Sequence, residues 1–210
     1  MRKVPLAAQI GLTSIEAKVK WCMAMIADLS RASHQPDAAV TARQEIWIGA
    51  RAMTARAANG AASGTRDSGA SDVTQPVFDF DAAADEFIQF EWVPPKRWNR
   101  STVTAIAYWT NDAGLTTETL RWTIAGVAIS NDDALNATFG TAEDITDTWI
   151  AQGDLHISPE SDAITIGGTP AAADLVMFQV GRDVSEDNLT GDARLIGIKL
   201  IWSSNADSDD

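Results

Sequence analysis

Catalysis needs groups that can move a proton, hold a metal or attack an electrophile, and this chain offers few of them at a working spacing. Its two histidines stand apart, His34 next to a Gln-Pro pair and His156 between Leu155 and Ile157. Neither has the companions of a nucleophilic triad or of a zinc site. Alternation with its apolar neighbours points His156 to solvent or to a subunit contact. The single cysteine, Cys22, precludes an internal disulfide or a cysteine metal cluster within one chain. There is no phosphate-binding glycine loop, HExxH or GxSxG motif.

Carboxylates are plentiful, and a glycosidase needs only two that face each other. Here they gather in turn-like runs, Asn131-Asp132-Asp133, Glu143-Asp144 and Ser185-Glu186-Asp187-Asn188. Asp and Asn shape turns by bonding their own backbone, and none of the runs has the spacing of a calcium loop. The expectation is therefore no catalytic residue, no cofactor and no metal. A glycan-cleaving enzyme, its two acids drawn from distant strands, stands as an alternative.

Aromatic residues offer binding rather than catalysis. Eight tryptophans accompany one tyrosine. Trp92, Trp109, Trp122 and Trp202 share strand faces with other apolar residues and belong in a core. Trp47, Trp98 and Trp149 fall near strand ends or loops, and with Trp21 they are the candidates for docking or for stacking on sugar rings. The competing reading is that they fill contacts between strands or subunits.

The elements that must position these residues follow from pattern. The 210 residues, 45% apolar, suit one good-sized domain with an appendage. No run approaches the roughly 18 to 20 apolar residues of a membrane span, so no membrane insertion is expected. The opening MRKVPLAAQIGL is a poor signal peptide, which places synthesis in the cytoplasm. Of the net charge of −13, residues 1–56 contribute +4 and the remainder −17. An acidic body repels nucleic acid, which is excluded as a partner, whereas the basic part can lean on an acidic protein surface.

Thr13 and Glu16 have capping-box spacing, predicting a helix from Thr13 to Ala32. Within it Leu12, Ile15, Val19, Cys22, Ile26 and Leu29 recur in steps of three and four, a heptad seam widened by Met23 and Met25. A short trimeric stalk is the first reading, and a helix lying on its own domain the second. Trp21 sits off the seam as a docking residue. Residues 1–45 are thus read as a helical anchor and oligomerisation segment. Residues 46–76, poor in large apolar groups around Asn59-Gly60 and Ser68-Gly69, are read as an extended arm or linker.

From residue 77 to 204 short alternating runs are separated by Gly, Asp, Asn and Pro, and an acidic tail occupies 205–210. The last two runs, from Leu175 and from Arg194, are expected to pair as neighbours, and Asp132–Phe139 to form at most a short helical turn. The fold class expected is mainly β, a jelly-roll-like antiparallel sandwich with an N-terminal α-helix and an extended arm.

Two stretches, IWIGARAMTARAANGAASG at 46–64 and DLVMFQVGRDVSEDNLTGDARLIGIKLIW at 174–202, resemble small virion proteins of tailed bacteriophages and related gene-transfer particles. The resemblance spans about residues 46 to 203. It implies a structural virion component, a fibre, spike or decoration subunit that forms a homotrimer. Its N-terminal part would anchor it to capsid, neck or tail proteins. Host surface polysaccharide is the partner of the alternative reading, a glycan-binding recognition module of a fibre.

Overall fold

The computed structural model describes residues 14–33, 42–67, 69, 72–171 and 173–205, and the chain divides into two compact units, 1–39 and 40–210. In the first, helix α1 runs Ile15–Ser33. Its cap is Ser14, whose Oγ accepts the Ala17 N–H at 3.1 Å, satisfying one of the donors left free at a helix start. Thr13 of the expected capping box lies outside the described residues, as does Leu12. Glu16 and Lys20, one turn apart, form an exposed ion pair at 3.0 Å. Among the described residues no helix is long and apolar enough to cross a membrane.

The second unit is a β-sandwich with eleven strands among the described residues: β1 Ala42–Gly49, β2 Met53–Ala55, β3 Ala62–Asp67, β4 Thr74–Phe80, β5 Phe87–Trp92, β6 Thr104–Thr110, β7 Thr119–Ile129, β8 Glu143–Thr148, β9 His156–Ile157, β10 Leu175–Arg182 and β11 Ala193–Ser204. One sheet has the order β3-β4-β11-β6-β9, with β1 also on β11; the other has the order β2-β5-β10-β7-β8. All these strand pairs are antiparallel. β11 is long enough to hold β6 on one side and β4 then β1 in succession on the other.

Alternation along β10 and β7 sends Val176, Phe178, Val180, Leu120, Trp122 and Ile124 inward, all essentially inaccessible. Between the sheets Phe80 meets Trp122 edge-on at 5.0 Å and Trp109 meets Trp122 at 6.5 Å. Trp92 lies against Phe178 and Trp202. Such ring pairs contribute about 0.5–1.5 kcal/mol each beyond the area they bury.

The stretch 46–76 is not an arm or linker: the end of β1, all of β2 and β3 and the start of β4 are strands of the two sheets. Its small residues misled because β3 is a polar edge strand, whose backbone pairing with β4 needs no apolar side chains. The segments expected to pair as neighbours, β10 and β11, lie in opposite sheets. Their ten-residue connection crosses the sandwich around Arg182. That guanidinium is fully buried and spends all five N–H groups, on Asp187 at 2.8 and 3.2 Å and on the carbonyls of Phe80, Leu189 and Gly191.

The regular alternation expected along β11 is also broken. A bulge between Leu195 and Gly197 shifts the register, so Ala193 and Leu195 point inward before it and Ile198, Leu200 and Trp202 after it. Ile196, the extra residue, swings to the outer face. The run Ala163–Ile166 supplies only an isolated bridge, Val103 to Ile164. Asp132–Phe139 contains turns and no helix.

Candidate functional site

The outer face of the six-stranded sheet carries a groove of about 580 Å³. Three adjacent strands, β1, β11 and β6, form its floor, flanked by Arg66 of β3, Gln75 of β4, and Gly153 and Leu155 ahead of β9. Gly49, Gly197 and Tyr108 follow one another across these strands in paired register. The two facing glycines make room for an aromatic ring. A Cβ on Gly197 would stand 2.5 Å from the Trp47 ring, and one on Gly49 would stand 3.2 Å from its indole nitrogen. Trp47 therefore lies down on the backbone. It meets Tyr108 edge-on at 5.0 Å and 82°, and half of its surface stays open to solvent. Leu155, also about half exposed, and the bulged Ile196 extend the apolar strip.

Polar groups ring it. Lys199 Nζ stands 3.0 Å from Glu45 Oε2, and that hydrogen bond holds the lysine above its ordinary pKa. Arg66 reaches over from β3, donating to the Gly153 carbonyl at 3.2 Å. Gly153 has φ +74, which favours glycine, and a side chain there would displace the Arg66 guanidinium, 2.7 Å away, from this position. Behind it Arg194 bonds Asp79 and Asp112. Gln75 and Thr110 complete the wall, and among the described residues Thr110 Oγ1 has no hydrogen-bond partner. Donors and acceptors thus surround a flat aromatic and aliphatic strip.

The four tryptophans singled out from sequence separate. Trp47 is in the groove. Trp98 is buried, packed edge-on against Trp92 at 5.2 Å, so it contacts no ligand. Trp149 is half-buried against the core, its indole N–H given to Asn111 at 2.6 Å, and it does not line the groove. Trp21 is half-buried in the helical unit. Of the seam, Ile15, Val19, Cys22 and Ile26 are all exposed, while the side chains of Leu12 and Leu29 lie outside the described residues.

His156 does not face solvent. It is fully buried, stacked on Trp109 at 4.1 Å, because its neighbours on either side, Leu155 and Ile157, take the outward positions. Its Nε2 accepts the Ile150 N–H at 2.9 Å and its Nδ1 faces the Asp154 carbonyl at 3.1 Å. Burial pushes its pKa below the ordinary value, so it is a neutral structural group under the groove wall. Among the described residues no group of three or more His, Cys, Asp or Glu could hold a metal ion.

Sequence reasoning missed most of the groove. Tyr108 was legible as outward-facing from its alternation with Trp109. Arg66 and Gln75 gave no signal, lying in or beside a stretch that looked like linker.

No family model matches the chain, nor does any curated protein. Solved structures that align with it include the CBM36-1 domain of a multidomain xylanase from the hindgut metagenome of Trinervitermes trinervoides. It is 10% identical, covers 75% of this chain and 96% of its own, and has a TM-score of 0.39. The CBM22-1 and GH10 modules of Clostridium thermocellum xylanase 10B, complexed with xylohexaose, are 10% identical, cover 80% of this chain and 29% of their own, and have a TM-score of 0.44. The family 11 carbohydrate-binding module of the same organism, with a mixed-linked tetrasaccharide, is 11% identical, covers 74% and 94%, and has a TM-score of 0.41.

Proposed function

We propose that the sandwich is a non-catalytic glycan-binding module, its ligand lying across strands β1, β11 and β6 in the outer-face groove. One observation carries this reading: the half-exposed Trp47 ring, laid on a glycine pair and braced by Tyr108, inside a rim of mixed donors and acceptors. A sugar ring has an apolar C–H face and an edge of hydroxyls that both donate and accept, and a flat aromatic with such a rim complements it. Three strands span about 10 Å at a spacing of about 4.8 Å, which favours an oligosaccharide over a single sugar. The test is a glycan array followed by titration of the hits with wild type, Trp47→Ala and the control Leu115→Ala. Binding lost in the first variant alone supports the groove, and binding kept in it sinks the reading. Shortened chains on prolonged incubation would instead favour a glycan-cleaving enzyme.

A second proposal concerns what carries the sandwich. Ile15, Val19, Cys22 and Ile26 recur at heptad steps and are all exposed, which favours burial against further copies of the same helix. Under this reading the chain is a homotrimeric subunit of a virion fibre, spike or decoration, displaying the groove to polysaccharide. Sedimentation of the full chain and of one starting at residue 40 tests it: a monomer in both forms removes the stalk.

A further inference from the structure

Two of the chain's guanidinium groups stand in contrasting states. Arg182, which is structural, has an acceptor for every N–H. Arg66, in the groove wall, makes one hydrogen bond among the described residues, to Gly153. Its Nε is buried without a hydrogen-bond acceptor. Asp112 pairs with that Nε only at 3.9 Å, beyond hydrogen-bond reach, and its other oxygen is bonded by Arg194. A guanidinium is a rigid fork of five donors that matches a carboxylate with two parallel bonds. With one hydrogen bond among the described residues and only a long ion pair to Asp112, beside an apolar strip, it suits an anion with flat geometry.

Lys199 adds a second cation to the groove, and Glu45 is the one acid among its lining residues. The setting makes this selective: residues 57–210 carry −17, so the general field repels an anionic polymer and attraction must come from contact. We propose that the groove takes a carboxylate-bearing glycan, a uronate polysaccharide, with the carboxylate held by Arg66 and a sugar face on Trp47. This rests on the glycan-binding reading and adds the ligand's charge to it.

The experiment titrates the full-length protein with polygalacturonate, alginate and hyaluronate, and with the carboxyl-reduced neutral form of each. It compares wild type, Arg66→Gln, Arg66→Lys and the exposed control Arg51→Gln. Charge-assisted hydrogen bonds contribute about 1.5–3 kcal/mol, so Arg66→Gln should weaken uronate binding about ten- to a hundredfold. Arg66→Lys, which keeps charge but loses the fork, should fall between, and Arg51→Gln should match wild type. Melting curves for each variant separate lost contact from lost fold. Equal binding of acidic and reduced polymers, or binding of neutral glycans only, overturns the proposal and leaves the glycan reading intact. No binding of any of these polymers also overturns the proposal, and the glycan array then decides the glycan reading separately.

Discussion

Replacing Arg182 with methionine tests how the two sheets are joined. The side chain is fully buried and its partner Asp187 nearly so. Arg182→Met strands that carboxylate without its cation, which costs about 3–5 kcal/mol. It also strips a donor from the carbonyls of Phe80, Leu189 and Gly191, each costing about 1–3 kcal/mol if left unsatisfied. Taken together these approach the roughly 5–15 kcal/mol that holds a domain folded. Even the ion-pair part alone implies a fall in Tm of about 6–20 °C for a domain of this size. Arg182→Lys keeps the charge and loses the fork, and Asp187→Asn keeps an acceptor oxygen and loses the charge. The expected order of damage is Arg182→Met, then Arg182→Lys, then Asp187→Asn. Thermal melting at pH 7, followed by tryptophan near-UV dichroism, reads it, and the two milder variants carry the test if the first is insoluble. A Tm for Arg182→Met within about 3 °C of the parent, well short of that fall, would refute the assignment of Arg182 as the clasp of this crossing.

Three further outcomes are expected. Gly197→Ala places a methyl 2.5 Å from the Trp47 ring, so it should lower glycan affinity about tenfold, as Trp47→Ala does by removing about 1–2 kcal/mol of ring contact; titration with any array hit measures both. Acidification should destabilise the sandwich in two stages. His156 is held below the ordinary 6.5 by burial, Glu118 below 4.5 by the Thr190 hydroxyl, and Glu160 below 4.5 by Thr104 and Arg43. In each case the unfolded chain takes up its proton first. Stability is therefore full above pH 6.5, declines below it as His156 charges in the unfolded chain only, and declines again below 4.5. His156→Gln should abolish the first stage in denaturant titrations between pH 7 and 5, and an unchanged profile would contradict the burial argument. Val19→Asp together with Ile26→Asp should convert any oligomer to monomer in sedimentation without shifting the melting of the sandwich.

Residue chemistry and period determined a good deal. Two-residue alternation was enough to assign Trp92, Trp109, Trp122 and Trp202 to the core, and all four are buried, because a strand with one face buried admits no other register. The absence of a triad, glycine loop or metal spacing directed attention from catalysis to aromatic contact. Tertiary structure decided what local pattern does not encode. A run of small polar residues reads as linker until a neighbouring strand is there to accept its backbone bonds, and β3 became a strand only beside β4. His156 alternated as foreseen, but which side of a two-residue strand faces inward depends on the sheet it joins. The same holds for the candidate site. Trp47, Trp98 and Trp149 looked alike in sequence, and only packing separated a buried ring from one laid open on a glycine pair, because exposure is a property of neighbours far apart in the chain.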